Sequence, residues 1–162
     1  MAIPTWFFAL VVVRSADRFL LVHERRHGQR WYLPAGRVEP GETIANAAVR
    51  ETMEEAGVPI ELMGILRVEH TPVPGGARMR VFYAARPMDE RPPKSEPDEE
   101  SLGASWFTLS EVERLPLRGG SEVKRLLAEV VAGAPLHPLG LIAPEGSPLI
   151  PQEDYGYDEL SS

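Results

Sequence analysis

A single amphipathic helix, bounded by turn-forming residues and set among β-branched runs, constrains this sequence more than any other feature. From Ile44 to Ala56 the residues Ala45, Ala48, Val49, Thr52 and Ala56 recur at the 3.6-residue period of one helix face. Thr43 stands before them as an N-cap, and Gly57 followed by Pro59 supplies a stop. Upstream, the apolar runs Phe7 to Arg14 and Phe19 to Arg25 flank the polar segment Ser15-Ala16-Asp17-Arg18, which reads as a hairpin. Trp31-Tyr32-Leu33 is a further short strand, and Pro34 to Gly41, with two prolines and two glycines, reads as loop. Downstream, Ile60 to Val68 and Met79 to Ala85 are strands joined through Pro72-Val73-Pro74-Gly75-Gly76. Strands on both sides of the helix predict an α/β fold.

The rest of the chain divides in two. Met88 to Glu100 is rich in proline and acidic residues, too polar to pack, and reads as a loop at a functional edge; Trp106-Phe107 returns to the core. Ser121 caps a second expected helix whose buried stripe is Val123, Leu126, Leu127, Val130 and Val131, ended by Gly133 and Pro135. This defines a domain over residues 1–132. Residues 133–162 hold five prolines, four glycines, five acidic residues and no lysine or arginine, so they read as an acidic tail, ordered only where it is tied to folded protein.

Composition sets limits on function. With 162 residues, one core is the default. A net charge of −7 gives a field that repels nucleic acid and anionic membranes, so neither is an expected partner. No apolar run reaches the ~18 residues of a membrane span, and Trp6 to Val13 lacks the basic segment of a signal peptide. The absence of cysteine excludes thiolate metal sites and makes a reducing cytoplasm the natural compartment. A polyanionic substrate therefore needs local positive charge, which a divalent cation can supply.

Glu51, Glu54 and Glu55 fall at i, i+3 and i+4, within a ~100° arc placed opposite the alanine face. Alone, three glutamates describe a solvated face. Their surroundings change that reading. The segment GRVEPGETIANAAVRETMEEAGV, starting at Gly36, resembles the Nudix box of the Nudix hydrolases, G-x5-E-x7-R-E-U-x-E-E-x-G-U with U aliphatic. Gly36, Glu42, Arg50, Glu51, Glu54, Glu55, Gly57 and Val58 match; Thr52 departs from the aliphatic position. Seven fixed types coincide by chance with a frequency on the order of 10⁻⁸ to 10⁻⁹ per starting position.

The resemblance implies an α/β/α sandwich with a mixed, curved sheet, and hydrolysis of a diphosphate bond dependent on Mg2+, with Mn2+ as a substitute. It implies Glu51, Glu54 and Glu55, with the carbonyl of Gly36, as metal ligands. Glu51 is one candidate for the base that takes a proton from water. Arg50 is expected to orient the carboxylates, Glu42 to support the loop, and Arg37 to contact phosphate. In many members a further glutamate precedes a Trp-Phe strand, and Glu100 is the preferred match.

WYLPAGRVEPGETI and EESLGASWF are similar to the animal Nudix phosphatases that act on 8-oxo-guanine nucleoside diphosphates. The expected substrate is a nucleoside di- or triphosphate, hydrolysed to a monophosphate. The alternatives are ADP-ribose or another nucleotide sugar, and a ligand sensor without catalysis. Symmetry statistics make a homodimer the default assembly. His23, His27, His70 and His137 lack metal-ligand spacing and receive no role. Trp31, Tyr32 and Phe82 are candidates for stacking on a base, though strand aromatics more often belong to a core.

Overall fold

The computed structural model describes residues 1–150, so the last twelve residues of the expected tail lie outside it. Strand β1 (Thr5–Ser15) is the axis of the sheet. Ala9 to Val13 are apolar without interruption and at most 2% exposed, as required of a strand covered on both faces. Alternation sends Ala9, Val11 and Val13 to one core and Leu10 and Val12 to the other.

β1 runs parallel to β6 (Gly76–Pro87), from Thr5 opposite Ala77 to Val13 opposite Ala85. β6 pairs antiparallel with β5 (Ile60–Val73), so these two strands extend past the expected limits and form a long hairpin. On its other edge β1 bonds β4 (Ala35–Arg37) from Phe8 to Leu10. Only at Arg14 and Ser15 does it meet β2 (Arg18–Glu24). The expected hairpin of β1 and β2 is thus paired only at its closed end. Beyond it the edge of β1 is taken by β4, inside a segment expected to be all loop, because buried backbone there needs partners. The Val11 N–H donates to Pro34 O at 3.0 Å and the Val38 N–H to Phe7 O at 2.9 Å. β2 carries the sheet on to β3 (Trp31–Tyr32) and β7 (Ser101–Thr108).

Helix α1 (Ile44–Ala56) packs on one face of this mixed sheet. A one-turn α2 (Leu109–Val112) and α3 (Ser121–Val131) cover the other. The architecture is the expected α/β/α sandwich. Among the described residues no helix is long and apolar enough to cross a membrane.

α1 begins and ends where the sequence indicates. Thr43 accepts a bond from the Asn46 N–H at 3.0 Å, and Gly57 takes the left-handed conformation at φ 68°, donating to Met53 O. Its orientation differs from the expected one. The buried residues are Ala47, Ala48, Thr52 and Ala56, whereas Val49 is 38% exposed. The 47–51–55 row turns inward beside the 48–52–56 row, which carries Glu51 and Glu55 toward the sheet instead of opposite the alanines. Thr52 fits an aliphatic position because its hydroxyl donates to Ala48 O at 2.8 Å. In α3, Ser121 is the first helical residue and makes no cap; Gly120 precedes it. Val131, the last residue of α3, is exposed instead of buried.

The polar segment after β6, expected to be unpacked, is tied to the end of α1. The Lys94 N–H donates to Ala56 O, and the Ala104 N–H donates to Lys94 O, both at 2.8 Å. Lys94 Nζ donates to Glu54 O and pairs with Asp98 at 2.6 Å, placing a cation at the negative end of the helix. Asp98 Oδ1 in turn accepts the N–H groups of Glu100 at 2.8 Å and Ser101 at 3.1 Å. The start of the tail is also held: Ile65 and His137 exchange backbone bonds of 2.8 Å, and Gly64 leaves room for Leu136 and the His137 carbonyl.

Two measurements check this arrangement. Val49→Ser should change stability by less than about 0.5 kcal/mol, whereas Ala48→Leu should cost roughly 1–3 kcal/mol by overpacking, both read from urea unfolding. Asp98 gives a pH test. Its carboxyl is held down to about 2, first by Lys94 and then by the Ser101 and Glu100 N–H groups, from an ordinary 3.8. A depressed folded value stabilises fully above the unfolded one and is lost as pH falls toward the folded one. The melting-temperature advantage over Asp98→Asn should be present near neutral pH and close between about pH 4 and about pH 2.

Candidate active site

β4 and α1 meet at side-chain distance. The Ala35 N–H donates to Glu55 Oε2 at 3.0 Å, and Gly36 lies directly against Glu51. A Cβ at position 36 would overlap the Glu51 carboxylate, so glycine is required here by close approach and not by its own φ.

Arg50 organises the carboxylates around this contact. Its Nε and Nη2 donate to the two oxygens of Glu42 at 2.7 and 3.0 Å, a bidentate fork. Nη1 donates to Glu51 at 2.9 Å and to Glu54 at 3.0 Å, and Nη2 also reaches Arg37 O at 3.1 Å. One guanidinium thereby joins three carboxylates and the loop backbone. Its hydrogen bond, with the Glu39 N–H, holds the Glu42 carboxyl below the usual range.

Glu51 and Glu55 are in a different condition. Burial pushes the Glu55 carboxyl up to about 8 against the opposing Ala35 N–H, and the charges of Glu51, Glu24 and Glu100 push it further the same way. Burial also raises Glu51, with Arg50 opposing and Glu54 and Glu100 adding to the rise. The charge of Glu100, on a loop positioned by Asp98, thus bears on both helix carboxylates. Glu24, at the end of β2, belongs to the same group and was not singled out in the sequence. Its Oε1 is buried without a hydrogen-bond partner, while Oε2 accepts from Arg118 at 2.9 Å. The available signal was an acidic residue ending a strand whose centre, Phe19 to Val22, is apolar.

The expected convergence of Glu51, Glu54 and Glu55 is not realised side chain to side chain. Among the described residues no three acidic or histidine side chains are grouped as metal ligands. Glu54, 40% exposed, turns to Arg50, and Glu55 turns to the Ala35 N–H. The donor set nevertheless fits a hard divalent cation. Its members are carboxylates, two are half-buried with their pKa values raised, and a third has an orphaned oxygen.

Across β4 lies a cleft of about 440 Å³, bordered by Gly36 and Arg37 and lined by Arg26, Arg78, Arg80 and Arg118. Tyr32 forms part of its wall beneath the Arg118 guanidinium, 4.7 Å from the ring centre. The other two candidate stacking residues are committed elsewhere. Trp31 stacks on His23 and meets Phe107 edge-on, and Phe82 is core beneath Arg67 and Arg80. His23 and His137 make only packing and backbone contacts; His27 borders the cleft.

Comparison with known proteins finds relatives both in sequence and in fold. Human 8-oxo-dGDP phosphatase NUDT18 is 43% identical over 100 residues, covering 60% of this chain and 30% of that protein. The NAD-capped RNA hydrolase NudC of Escherichia coli is 32% identical over 124 residues, covering 76% of this chain and 46% of that one. The chain thus matches under half the length of either relative. In structure it is similar to a NUDIX hydrolase from Nitrosomonas europaea, with a TM-score of 0.68 at 24% identity, covering 86% of this chain and 96% of that one, a likeness of fold. The NUDIX domain family matches residues 6–130, so this chain belongs to that family.

Proposed function

We propose that this chain hydrolyses the diphosphate bond of a nucleoside di- or triphosphate, yielding a nucleoside monophosphate, and that an oxidised guanine nucleotide is its preferred substrate. The observation that carries the reading is the confined carboxylate set of Glu51, Glu55 and Glu24 around the Gly36 loop, with Arg50 fixing the helix side of it. Glu51, Glu54, Glu55 and the Gly36 carbonyl would hold magnesium, with manganese as a substitute. When bound, that ion supplies charge for the phosphate oxygens and acidifies water.

The chain's own residues account for the remaining steps. Glu51 or Glu100 takes the proton from the attacking water, whose oxygen bonds to phosphorus as the bridging P–O bond breaks and the displaced phosphate leaves. Arg50 stays outside the reacting atoms and keeps the carboxylates in register. Arg37, exposed at the mouth of the cleft, pairs with a phosphate oxygen. Support for the guanine preference is the 41% and 43% identity over 100 residues to phosphatases named for 8-oxo-dGDP, beside the resemblance of the segments Trp31–Ile44 and Glu99–Phe107 read from the sequence. On the same reading, residues 1–132 form the catalytic domain, residues 133–162 an appendage, and the compartment is a reducing cytoplasm.

Glu54→Gln and Glu55→Gln should each lower kcat by roughly 10²-fold or more at saturating magnesium, with unchanged circular dichroism. Wild-type turnover in both would remove the carboxylates from the chemistry. In a panel of 8-oxo-dGDP, dGTP and ADP-ribose, 8-oxo-dGDP should give the highest kcat/KM. A maximum at ADP-ribose would replace the substrate, and tight binding without cleavage would identify a sensor.

A further inference from the structure

The two faces of the sheet carry opposite charge at the site. β4 alternates, so Gly36 meets α1 while Ala35 and Arg37 point to the α3 side. On that side Arg37 pairs with Phe8 across β4 and β1, Phe8 with Arg80 across β1 and β6, and Arg80 with Glu69 across β6 and β5. One row across four strands thus holds two guanidiniums. Arg78 lies two residues further along the same face of β6, and Arg26 borders the same cleft from the β2–β3 loop.

Not all of this charge is neutralised. Arg80 is shared between Glu69 at 2.6 Å and Glu122 at 2.7 Å, and Arg118 is bound to Glu24 at 2.9 Å. Among the described residues Arg26, Arg37 and Arg78 make no ion pair, and no carboxylate lines the cleft they face. This concentration of five arginines about one cleft occurs in a chain of net charge −7. Arg37, beside the Gly36 loop, is accounted for by the scissile diphosphate. Arg78 is not: its row is that of Trp6, three residues along β1 from the Ala9 row of Gly36, about 10 Å at ~3.3 Å per residue.

We infer that the cleft binds a second phosphate of the substrate, separate from the diphosphate that is cut, and that Arg26 and Arg78 select for it. The class is a nucleotide carrying an additional phosphate on its sugar. Such a group brings a charge of about −1.5 to −2 and oxygens that suit paired guanidinium forks. Tyr32, nearly fully buried beneath Arg118, is part of the same wall. The inference rests on the proposed nucleotide hydrolysis for its orientation, but the phosphate site itself is tested by binding.

Calorimetry with the full chain and magnesium compares deoxyguanosine 5′-monophosphate with deoxyguanosine 3′,5′-bisphosphate, neither of which has a diphosphate bond to cut. Wild type should bind the bisphosphate at least about tenfold more tightly than the monophosphate. In the Arg26→Met/Arg78→Met variant that preference should fall to within about twofold, and in Arg26→Lys/Arg78→Lys it should be partly retained, since lysine keeps the charge without the fork. Melting curves of both variants show whether they are folded. Equal affinity for both ligands in wild type, or an undiminished preference in the folded methionine variant, would overturn the inference. Cleavage of 8-oxo-dGDP without such a preference leaves the hydrolase reading standing and removes the second phosphate. The preference without cleavage of any nucleotide does the reverse.

Discussion

The contact between β4 and α1 is the constraint on which the site depends. Two residues of a three-residue strand touch two glutamates of one helix: Ala35 through its N–H to Glu55, and Gly36 through the absence of a side chain beside Glu51. Neither glutamate would face the sheet if the helix followed its apolar residues alone. Burying carboxylates costs several kcal/mol per ion unless they are paired or protonated. Here Glu51 has Arg50, and Glu55 has one backbone N–H and a carboxyl pushed up to about 8. The fold thus holds two carboxyls where ionisation is disfavoured, a condition that a cation would relieve and that stability alone does not explain.

Arg50 gives that charge its geometry. A lysine at this position could not bind both oxygens of Glu42 while also reaching Glu51, Glu54 and the Arg37 carbonyl, because those bonds use the planar fork. The Arg37 carbonyl makes the same guanidinium a tie between the helix and the strand that borders the cleft. Carboxylates on the α1 side and arginines on the α3 side are therefore held in fixed relation by one side chain and one three-residue strand. The loop carrying Glu100 is fixed separately, through Lys94 and Asp98, to the other end of α1. Both anchors converge on the same helix.

Much of this was legible in the sequence where a local rule decides it. Thr43, Gly57 and Pro59 set the limits of α1 through capping and the left-handed turn, and the uninterrupted apolar run in β1 marks a central strand. What was not legible depends on tertiary partners. Val49 and Ala47 exchange roles because the inward face of α1 is chosen by where Gly36 and Ala35 arrive, which periodicity does not contain. β4 exists only because β2 leaves the edge of β1 open, and the pinned acidic loop only because Lys94 finds the end of the helix. Glu24 and the arginine row share this character: each is ordinary in sequence and acquires significance from residues far along the chain.

The arginine row also bears on how an acidic protein approaches an anionic ligand. The global field of a chain with charge −7 opposes the approach, but it is screened beyond about 8 Å at physiological ionic strength. Within that distance Arg37 and Arg78, exposed at the cleft, present positive charge to such a ligand. Arrangement by strand alternation makes this separation possible at little structural cost: successive residues of β4 serve opposite faces, so a step of one residue, from Gly36 to Arg37, passes from the negative side of the site to the positive one. Shifting the register of β4 by one residue would exchange those faces, placing a guanidinium against Glu51 and a glycine in the cleft. The short strand is fixed against that slip by Ala35 on Glu55 and by the Pro34 and Val38 backbone bonds that flank it.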